Sequence, residues 1–301
     1  MHISEFDYEL PAELIAQQPL ERRDASRMMV VNRDSQTWAE SNFALFPELV
    51  RAGDVVVINN TRVFPARLVG QRDPSGGRVE MLLLREIETS VWEALVRPAY
   101  RLNKGAEVRF GESSLRGEVI AVSSGGLRRL KFTGAKPLEV LIDEVGETPL
   151  PPYIKRDGGS TETDRERYQT MFAREKGAIA APTAGLHFTP AIMQTLSDRG
   201  ARVSEITLHV GYGTFEPVRV DEIEAHKVTA EYFKISAAAA NTINEARAEG
   251  GRVIAVGTTT TRALETAAAA DGIIKPGNGA TGLTIKPGYK FRAMDALLTN
   301  F

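Results

Sequence analysis

The stretch from Leu208 to Arg219, LHVGYGTFEPVR, joins a titratable imidazole to a loop that can receive a ligand. Apolar residues alternate up to Val210, which predicts a half-buried strand, and His209 lies at the end of that strand. An imidazole in this place can accept or donate a proton near neutral pH. A plain glycine turn beside a hydrogen-bonded core histidine is the alternative interpretation, because two glycines around one residue are a weak signal. The ligand contacts predicted in this loop are Gly211, Gly213 and Thr214.

The stretch GTTTTR, from Gly257 to Arg262, lies between a predicted strand, RVIAV, and a predicted helix, ALETAAAA. Free backbone N–H groups and the helix dipole favour an anion at such a junction, and the hydroxyls and the guanidinium supply further donors. N-capping explains one threonine but not four. The stretch therefore predicts a carboxylate or phosphate site, and it is not a Walker loop because the Gly-Lys pair is missing. Its predicted contacts are Thr258, Thr259 and Arg262.

Two further stretches repeat this design. The apolar strand VVVI is followed by a polar cluster, where open α/β sheets hold ligands, although an Asx turn explains the asparagines equally well. The stretch AAPTAGLHF, from Ala180 to Phe188, is compact enough for a ligand to approach its backbone, and packing of a helix entry is the alternative. The candidates in these two stretches are Asn59, Asn60, Thr61, Arg62, Thr183, Gly185 and His187.

The composition limits the class of protein. The chain has 301 residues, 43% of them hydrophobic, without an apolar run of membrane-spanning length, which predicts a globular protein that does not enter a membrane. The absence of cysteine excludes disulfides, thiolate metal sites and a cysteine nucleophile. The four histidines lack the helical spacing of a zinc motif, so no metal is expected. The opening MHISEFDYEL has no signal pattern, and a cytoplasmic location is expected.

The predicted secondary-structure elements of the chain follow two different sequence patterns. Up to about residue 61, and again from about residue 150, buried strands alternate with helices, which indicates a layered α/β fold. Between them, short alternating runs recur about every ten residues, which predicts a small antiparallel β-barrel or sandwich. The predicted fold is a discontinuous layered α/β domain, 1–61 and 150–301, with an inserted small antiparallel β-barrel domain, 62–149. A helix is also predicted from Pro11 to Gln18.

The inserted module is basic, although the whole chain has a net charge of −2. From Arg62 to Lys136 there are 14 Lys or Arg against 8 Asp or Glu, a local excess of +6. Such an excess favours a polyanionic partner. For any single cation, a solvated sheet face is the simpler interpretation.

Motifs spread over nearly the whole chain resemble, in order, the S-adenosylmethionine:tRNA ribosyltransferase-isomerase family of queuosine biosynthesis. They are NNTRVFPARL, GETPLPPYI, YQTMF, AAPTAGLHF, LHVGYGTFEPVR, VGTTTTRALE, PGYKF and RAMDALLTNF. The resemblance implies a monomeric α/β protein with an inserted β-barrel. It also implies transfer of the ribosyl part of S-adenosylmethionine to preQ1 at the tRNA wobble position, which gives epoxyqueuosine and releases adenine and methionine. S-adenosylmethionine is then a substrate, and no cofactor is expected.

The implied reaction removes a proton from the C5′ carbon of S-adenosylmethionine, so a base is required. The substrate's own amine, His209 and Glu216 remain open as the base, and His187 is a further candidate catalytic residue. The resemblance also makes tRNA the partner of the basic module. The cations predicted to contact tRNA are Arg97, Arg101, Lys104, Arg128, Arg129 and Lys131.

The chain departs from the family pattern in three places. Thr229 stands where the family's H-x-M-H-x-E has its second histidine, and the segment from Ala280 to Lys286 lacks three aromatic residues of the family. The sequence stops at Phe301, where the family continues, so it is either a truncated or a divergent member. These departures keep two other functions open: a non-catalytic RNA-binding protein of the same fold, and a nucleoside-binding enzyme that acts on a free small molecule.

Overall fold

The computed structural model describes residues 1–215 and 218–300 of the chain. The strands are β1 Arg27–Asn32, β2 Thr37–Asn42, β3 Val55–Asn59, β4 Thr61–Val63, β5 Arg67–Asp73, β6 Arg78–Glu88, β7 Val91–Arg97, β8 Glu107–Arg109, β9 Arg116–Val122, β10 Leu127–Thr133, β11 Gly146–Glu147, β12 Glu175–Ala178, β13 Arg202–Leu208, β14 Glu231–Ile235, β15 Val253–Val256, β16 Gly277–Thr281 and β17 Ala296–Leu298. The α-helices are α1 Leu138–Val145, α2 Glu162–Arg167, α3 Pro190–Asp198, α4 Ala237–Ala248 and α5 Thr258–Ala267.

Short 3-10 helices connect many of these elements. They span Ile3–Phe6, Ala12–Leu14, Arg23–Ala25, Phe43–Leu49, Ala99–Arg101, Ser124–Gly126, Thr183–His187, Tyr212–Phe215 and Ile223–Ala225. The α-helix predicted from Pro11 to Gln18 is wrong, because only the 3-10 turn Ala12–Leu14 forms there and none of its residues is buried. Without an apolar face to pack, so short a segment has little to hold it helical.

The chain divides into two units. The first comprises residues 1–62, 169–175 and the part from 181 onward, and the second comprises residues 63–168 and 176–180. The predicted domains are 1–61 together with 150–301, and an inserted domain 62–149. These boundaries remain a prediction.

The first unit is built on a six-stranded sheet in the order β16-β14-β13-β3-β15-β17. The strands β13, β3, β15 and β17 run parallel. The strand β14 pairs antiparallel with β13, and β16 pairs antiparallel with β14. The central strand β3, VVVIN, is buried along its whole length, as expected of a strand covered on both faces. The sheet is therefore the middle layer of the first unit.

Helices cover both faces of this sheet because side chains alternate along each strand. On one face, Val56, Ile58 and Val203 pack with α3 and with an aromatic cluster of Phe43, Phe46, Phe172 and Phe188. On the other face, the Ser204 hydroxyl donates to the Ala239 carbonyl in α4, at 3.4 Å. The prediction of a layered α/β domain is confirmed.

The second unit contains the predicted antiparallel barrel, closed by six strands in the order β5-β6-β7-β10-β9-β8 and back to β5. A glycine makes the closure between β5 and β8 possible. A Cβ at Gly70 would lie 2.7 Å from the Arg109 carbonyl oxygen and 2.8 Å from Val108 Cγ1, so no larger residue fits there. Burial alternates along β10, where residues 128, 130 and 132 point inward. The prediction of an inserted barrel, rather than a sandwich, is confirmed.

Asp164 in the second unit accepts hydrogen bonds from Nη2 and Nε of Arg156, at 2.8 and 2.9 Å, and from the backbone N–H and hydroxyl of Thr161. Both charged groups are largely buried. The hydrogen bonds from Arg156, ahead of those from Thr161, lower the pKa of Asp164 to about 2, against the opposing effect of burial.

We expect this carboxylate to make stability depend on pH. The pKa is lower in the folded chain, so ionised Asp164 stabilises the fold by about 2 kcal/mol above about pH 5 and loses this effect as the pH falls toward 2. In urea titrations, the difference in unfolding free energy between wild type and Asp164→Asn should shrink to roughly a third of its neutral value by about pH 2.5. Asp157→Asn, at an exposed neighbour, is the control. A difference that stays constant with pH would contradict the prediction.

Candidate active site

The carboxyl ends of β3 and β13 lie together because the two strands are parallel neighbours. The Asn59 side chain continues their ladder past the strand ends: its amide donates to the Leu208 carbonyl at 2.9 Å, and its oxygen accepts from the Leu208 N–H at 3.0 Å. The same oxygen accepts from the Thr61 N–H. Asn59 thus fixes the backbone on both sides of the site.

Asn60 is also occupied by its neighbours. Its oxygen accepts from the Thr207 hydroxyl at 2.8 Å, and its amide donates to the Glu205 carboxylate at 3.2 Å. Both Asn59 and Asn60 are buried. The amides of both residues shape the strand edge, as the polar-turn interpretation expects, and direct contact of either residue with substrate stays a prediction.

His209 is held at this edge by Thr61. The Thr61 hydroxyl lies 2.8 Å from His209 Nδ1 and also donates to the Glu175 carbonyl at 3.4 Å. A hydroxyl has one proton, so a Thr61 that donates to Glu175 accepts from Nδ1–H and leaves Nε2 with its lone pair. Burial lowers the pKa of His209 below its usual 6.5, and the Glu175 charge opposes this only in part. The imidazole is therefore neutral at pH 7, with a fixed ring.

An open cleft of about 450 Å³ lies beside His209 in the first unit. The register of three antiparallel strands builds it: Thr207 faces Lys234, Lys234 faces Asn278, and Tyr232 faces Ala280. The Tyr232 ring is mostly exposed, and no ion pair of Lys234 occurs within the described residues. The residues that line the cleft are Glu175, Thr207, His209, Tyr232, Phe233, Lys234, Asn278, Gly279 and Ala280.

Sequence reasoning identified only His209 among these lining residues. Tyr232, Lys234 and Asn278 lie far from it in the chain, and a single strand pattern such as EYFKI does not reveal which strand it joins. The one available signal was the alternation of β14, which places Tyr232 and Lys234 on one face.

The loop after β13 is fixed by a buried carboxylate. Glu231 is 4% exposed, and its Oε1 accepts from the Gly211 N–H at 2.8 Å. Its Oε2 accepts a hydrogen bond from the Arg262 guanidinium. At Gly213, a Cβ would come 3.1 Å from Thr229 Cβ, so a larger residue would fit there only if Thr229 shifted by a few tenths of an ångström. Glu231 thus joins β14, α5 and the glycine-rich loop.

Arg262 has partners within the chain. Its guanidinium also donates to the Leu283 carbonyl at 2.9 Å and to the Thr281 carbonyl at 3.1 Å, and the residue is buried. A buried cation needs such partners. Each of the three guanidinium nitrogens donates within the chain, and binding of a substrate anion by Arg262 stays a prediction.

The threonines at the start of α5 divide into two pairs. Thr260 and Thr261 donate to the carbonyls four residues earlier, at 2.7 and 3.2 Å. Thr258 is exposed, and the described residues offer no hydrogen-bond partner to the hydroxyls of Thr258 and Thr259. Only this first pair retains the predicted capacity to contact a ligand.

The compact stretch before His187 serves packing. A Cβ at Gly185 would lie 2.9 Å from Phe172 Cζ and 3.0 Å from Thr170 Cγ2, so the helix-entry interpretation accounts for this glycine. His187 Nε2 pairs with Asn300 Oδ1 at 3.1 Å, and the ring packs on Phe43. His187 is not among the residues that line the cleft.

The other predicted contacts in the first unit have different surroundings. Thr183 is half-buried, and Arg62 is exposed, without an ion pair among residues 1–215 and 218–300. Thr214 belongs to the 3-10 turn Tyr212–Phe215. Glu216 lies outside the described residues.

Five of the six cations predicted on the barrel face solvent. Arg129 is paired with Glu93 at 3.5 Å, and the others have no ion pair within the described part of the chain. Arg128 is the exception, because it is 5% exposed and its guanidinium donates only to backbone carbonyls. Strand alternation turns Arg128 inward, and its contact with tRNA stays a prediction. The exposed cations are Arg97, Arg101, Lys104, Arg129 and Lys131.

Two kinds of feature are absent from the described residues. No helix in residues 1–215 and 218–300 is both long and apolar enough to cross a membrane. Within the same ranges, no group of three or more histidine, aspartate or glutamate side chains is placed to hold a metal ion.

The first unit is a mixed sheet with a cleft beside His209, and the second unit is a closed barrel with exposed cations. The chain matches the family described as "Queuosine biosynthesis protein" over residues 3–301, and it belongs to that family. It is 50% identical over 302 residues to the S-adenosylmethionine:tRNA ribosyltransferase-isomerase of Moorella thermoacetica, covering 100% of this chain and 87% of the relative.

Two further proteins are similar. The S-adenosylmethionine:tRNA ribosyltransferase-isomerase of Natranaerobius thermophilus is 48% identical over 302 residues, with 100% of this chain and 87% of the relative covered. A crystal structure of the S-adenosylmethionine tRNA ribosyltransferase of Thermotoga maritima is 33% identical, with a TM-score of 0.49, 99% of this chain and 84% of that chain covered.

We expect the buried pair of Arg262 and Glu231 to be essential for stability. Arg262→Met leaves a buried carboxylate without its cation and should lower the free energy of unfolding by about 3–5 kcal/mol in urea titrations. The matched control is the exposed pair Arg27–Glu40, where Glu40→Gln should change the value by less than about 1 kcal/mol. Equal effects of the two substitutions would contradict the prediction.

Proposed function

We propose that this chain transfers and isomerises the ribosyl part of S-adenosylmethionine onto preQ1 at the wobble position of tRNA. The products are epoxyqueuosine in tRNA, adenine and methionine. The observation that carries the proposal is the family match over residues 3–301, together with relatives of that activity that are about half identical along the whole chain. We further propose that the chain acts as a cytoplasmic monomer and needs no cofactor, because S-adenosylmethionine is itself consumed.

The cleft supplies what the proposed chemistry needs. The sulfonium acidifies the C5′ carbon of S-adenosylmethionine, and a neutral imidazole can accept the proton from it. His209 Nε2 is the atom proposed for this, because Thr61 occupies Nδ1 and burial keeps the ring uncharged. A ring held in one orientation also brings the base to the carbon without further ordering.

Other groups of the cleft suit the rest of the substrate. The exposed Tyr232 ring offers a face for a purine, and the Lys234 ammonium offers a partner for a carboxylate such as that of methionine. Tyr232 and Lys234 position S-adenosylmethionine in the cleft, and His209 acts on it. The hydroxyls of Thr258 and Thr259, at the first turn of α5, are not among the residues that line the cleft and are proposed to contact a polar group of the substrate.

The barrel is proposed to hold the tRNA. Among its exposed cations, the five predicted contacts can neutralise phosphates and release counterions, which gives affinity a steep dependence on salt. The local excess of +6 in a chain of net −2 supports the assignment.

The proposal is tested by incubating the purified chain with S-adenosylmethionine and preQ1-containing tRNA and measuring released adenine. We expect adenine and epoxyqueuosine in equal amounts, and neither product with tRNA that lacks preQ1. Adenine release without tRNA would instead indicate an enzyme acting on a free nucleoside. Tight tRNA binding with no adenine release would indicate a non-catalytic RNA-binding protein.

We expect His209→Gln to lower kcat by about 10²- to 10⁴-fold, because the proton acceptor is lost. In the wild type, kcat/KM should fall as the pH falls through an apparent pKa below 6.5, since protonation removes the base. This acid limb should be absent from the variant. His2→Gln, at an exposed histidine in the N-terminal turn, is the control. If His209→Gln kept the acid limb of the pH profile, a group other than His209 would accept the C5′ proton.

A further inference from the structure

The 3-10 turn Ala99–Arg101 presents an aromatic ring to solvent. Tyr100 is 72% exposed, although a large ring is usually buried or half-buried. The guanidinium carbon of Arg101 lies 5.2 Å from the ring centroid, a cation–π distance. The guanidinium occupies one face of the ring, and the other face is left for a flat partner.

The turn rests on a buried guanidinium. Arg128 donates through Nε to the Leu102 carbonyl and through Nη2 to the Ala99 carbonyl, both at 2.6 Å. Its Nη1 donates to the carbonyls of Ser123 and Leu127, at 3.2 and 2.9 Å. Arg128 therefore bonds to the turn on either side of Tyr100 and links it to the carbonyls of Ser123 and Leu127. Burying a charge without an acidic partner is costly, so this arrangement fixes the turn at the expense of stability.

The chain on both sides of Tyr100 is basic. The segment from Arg97 to Lys104, RPAYRLNK, contains three cations and no acidic residue. Arg97, Arg101 and Lys104 are all exposed, and none has an ion pair within the described residues. A ring face flanked by unpaired cations matches a nucleotide, which presents a base for stacking and a phosphate for charge.

The surroundings of Tyr100 do not suit a protein partner. Protein interfaces need an apolar centre around their aromatic anchors. Here Leu102 is fully buried, and Pro98 and Ala99 are half-buried, so the described neighbours of Tyr100 in the chain do not extend an apolar patch from the ring.

We propose that Tyr100 is a stacking platform for an unpaired base of RNA, held in place by Arg128 as a positioning residue and flanked by Arg97, Arg101 and Lys104 for phosphate. The proposal rests on the proposed function in taking tRNA as the RNA. It goes beyond the proposed function because Tyr100 is uncharged and is not one of the cations predicted to contact tRNA.

The test measures binding of preQ1-containing tRNA by filter binding across a salt series. Tyr100→Ala should weaken binding by about 5- to 150-fold, the range for losing one stacked base. Tyr100→Phe should bind as the wild type does, because it keeps the ring. Tyr8→Ala, at a tyrosine that is also 72% exposed but lies in the first unit, is the matched control and should have no effect.

The salt series separates stacking from charge. Tyr100→Ala should keep the wild-type slope of log affinity against log salt, whereas Arg101→Ala should lower the slope by up to about one unit. A blunt RNA duplex has no unpaired base, so its affinity should not change with Tyr100→Ala. If Tyr100→Ala lowered the affinity for tRNA and for the duplex equally, Tyr100 would contact the RNA backbone instead of stacking on a base. That result would overturn the proposal.

Arg128→Lys keeps the charge but cannot reach four carbonyls. It should weaken tRNA binding as Tyr100→Ala does, and Arg128→Lys combined with Tyr100→Ala should be no weaker than Tyr100→Ala alone. If Arg128→Lys does not fold, the Tyr100 variants decide. Wild-type affinity of a folded Tyr100→Ala overturns the platform, while the proposed function fails separately if the wild type releases no adenine.

Discussion

The carboxylate of Glu231 is the group on which the first unit depends. One oxygen holds the backbone of the glycine-rich loop at Gly211, and the other pairs with the Arg262 guanidinium. Through that guanidinium it also reaches the Thr281 carbonyl at the end of β16. Two stretches that each look like a ligand loop in the sequence are thus tied to one another. The charge is buried with its partner, so neither side can be removed without leaving the other uncompensated.

The same edge of the sheet decides the state of His209. Two parallel strands end together, and the Asn59 side chain replaces the next rung of the ladder. The turn that follows brings Thr61 to His209 Nδ1. Burial then lowers the pKa of the imidazole. Position, tautomer and charge of the proposed base therefore follow from one packing arrangement at the strand ends.

Two arginines that stand in basic or donor-rich stretches are structural. Arg262 donates hydrogen bonds to one carboxylate and two carbonyls, and Arg128 donates to four carbonyls. In each case the guanidinium, with five donors in a rigid plane, satisfies several backbone acceptors at once. The consequence is that a structural arginine can lie next to a functional residue: Arg128 holds the turn of Tyr100, and Arg262 holds the loop after His209.

Local sequence patterns predict the types of element and their order. Strand spacing of about ten residues predicted the barrel, since that spacing reflects local turn chemistry, and VVVI predicted a strand buried on both faces. His209 was found because it ends an alternating strand. Tertiary structure alone decided that Arg128 points inward, that Arg262 is paired, and that Tyr232, Lys234 and Asn278 share one cleft with His209. These outcomes depend on strand order and register, which are set by contacts between residues far apart in the chain, whereas composition and periodicity report only on neighbours.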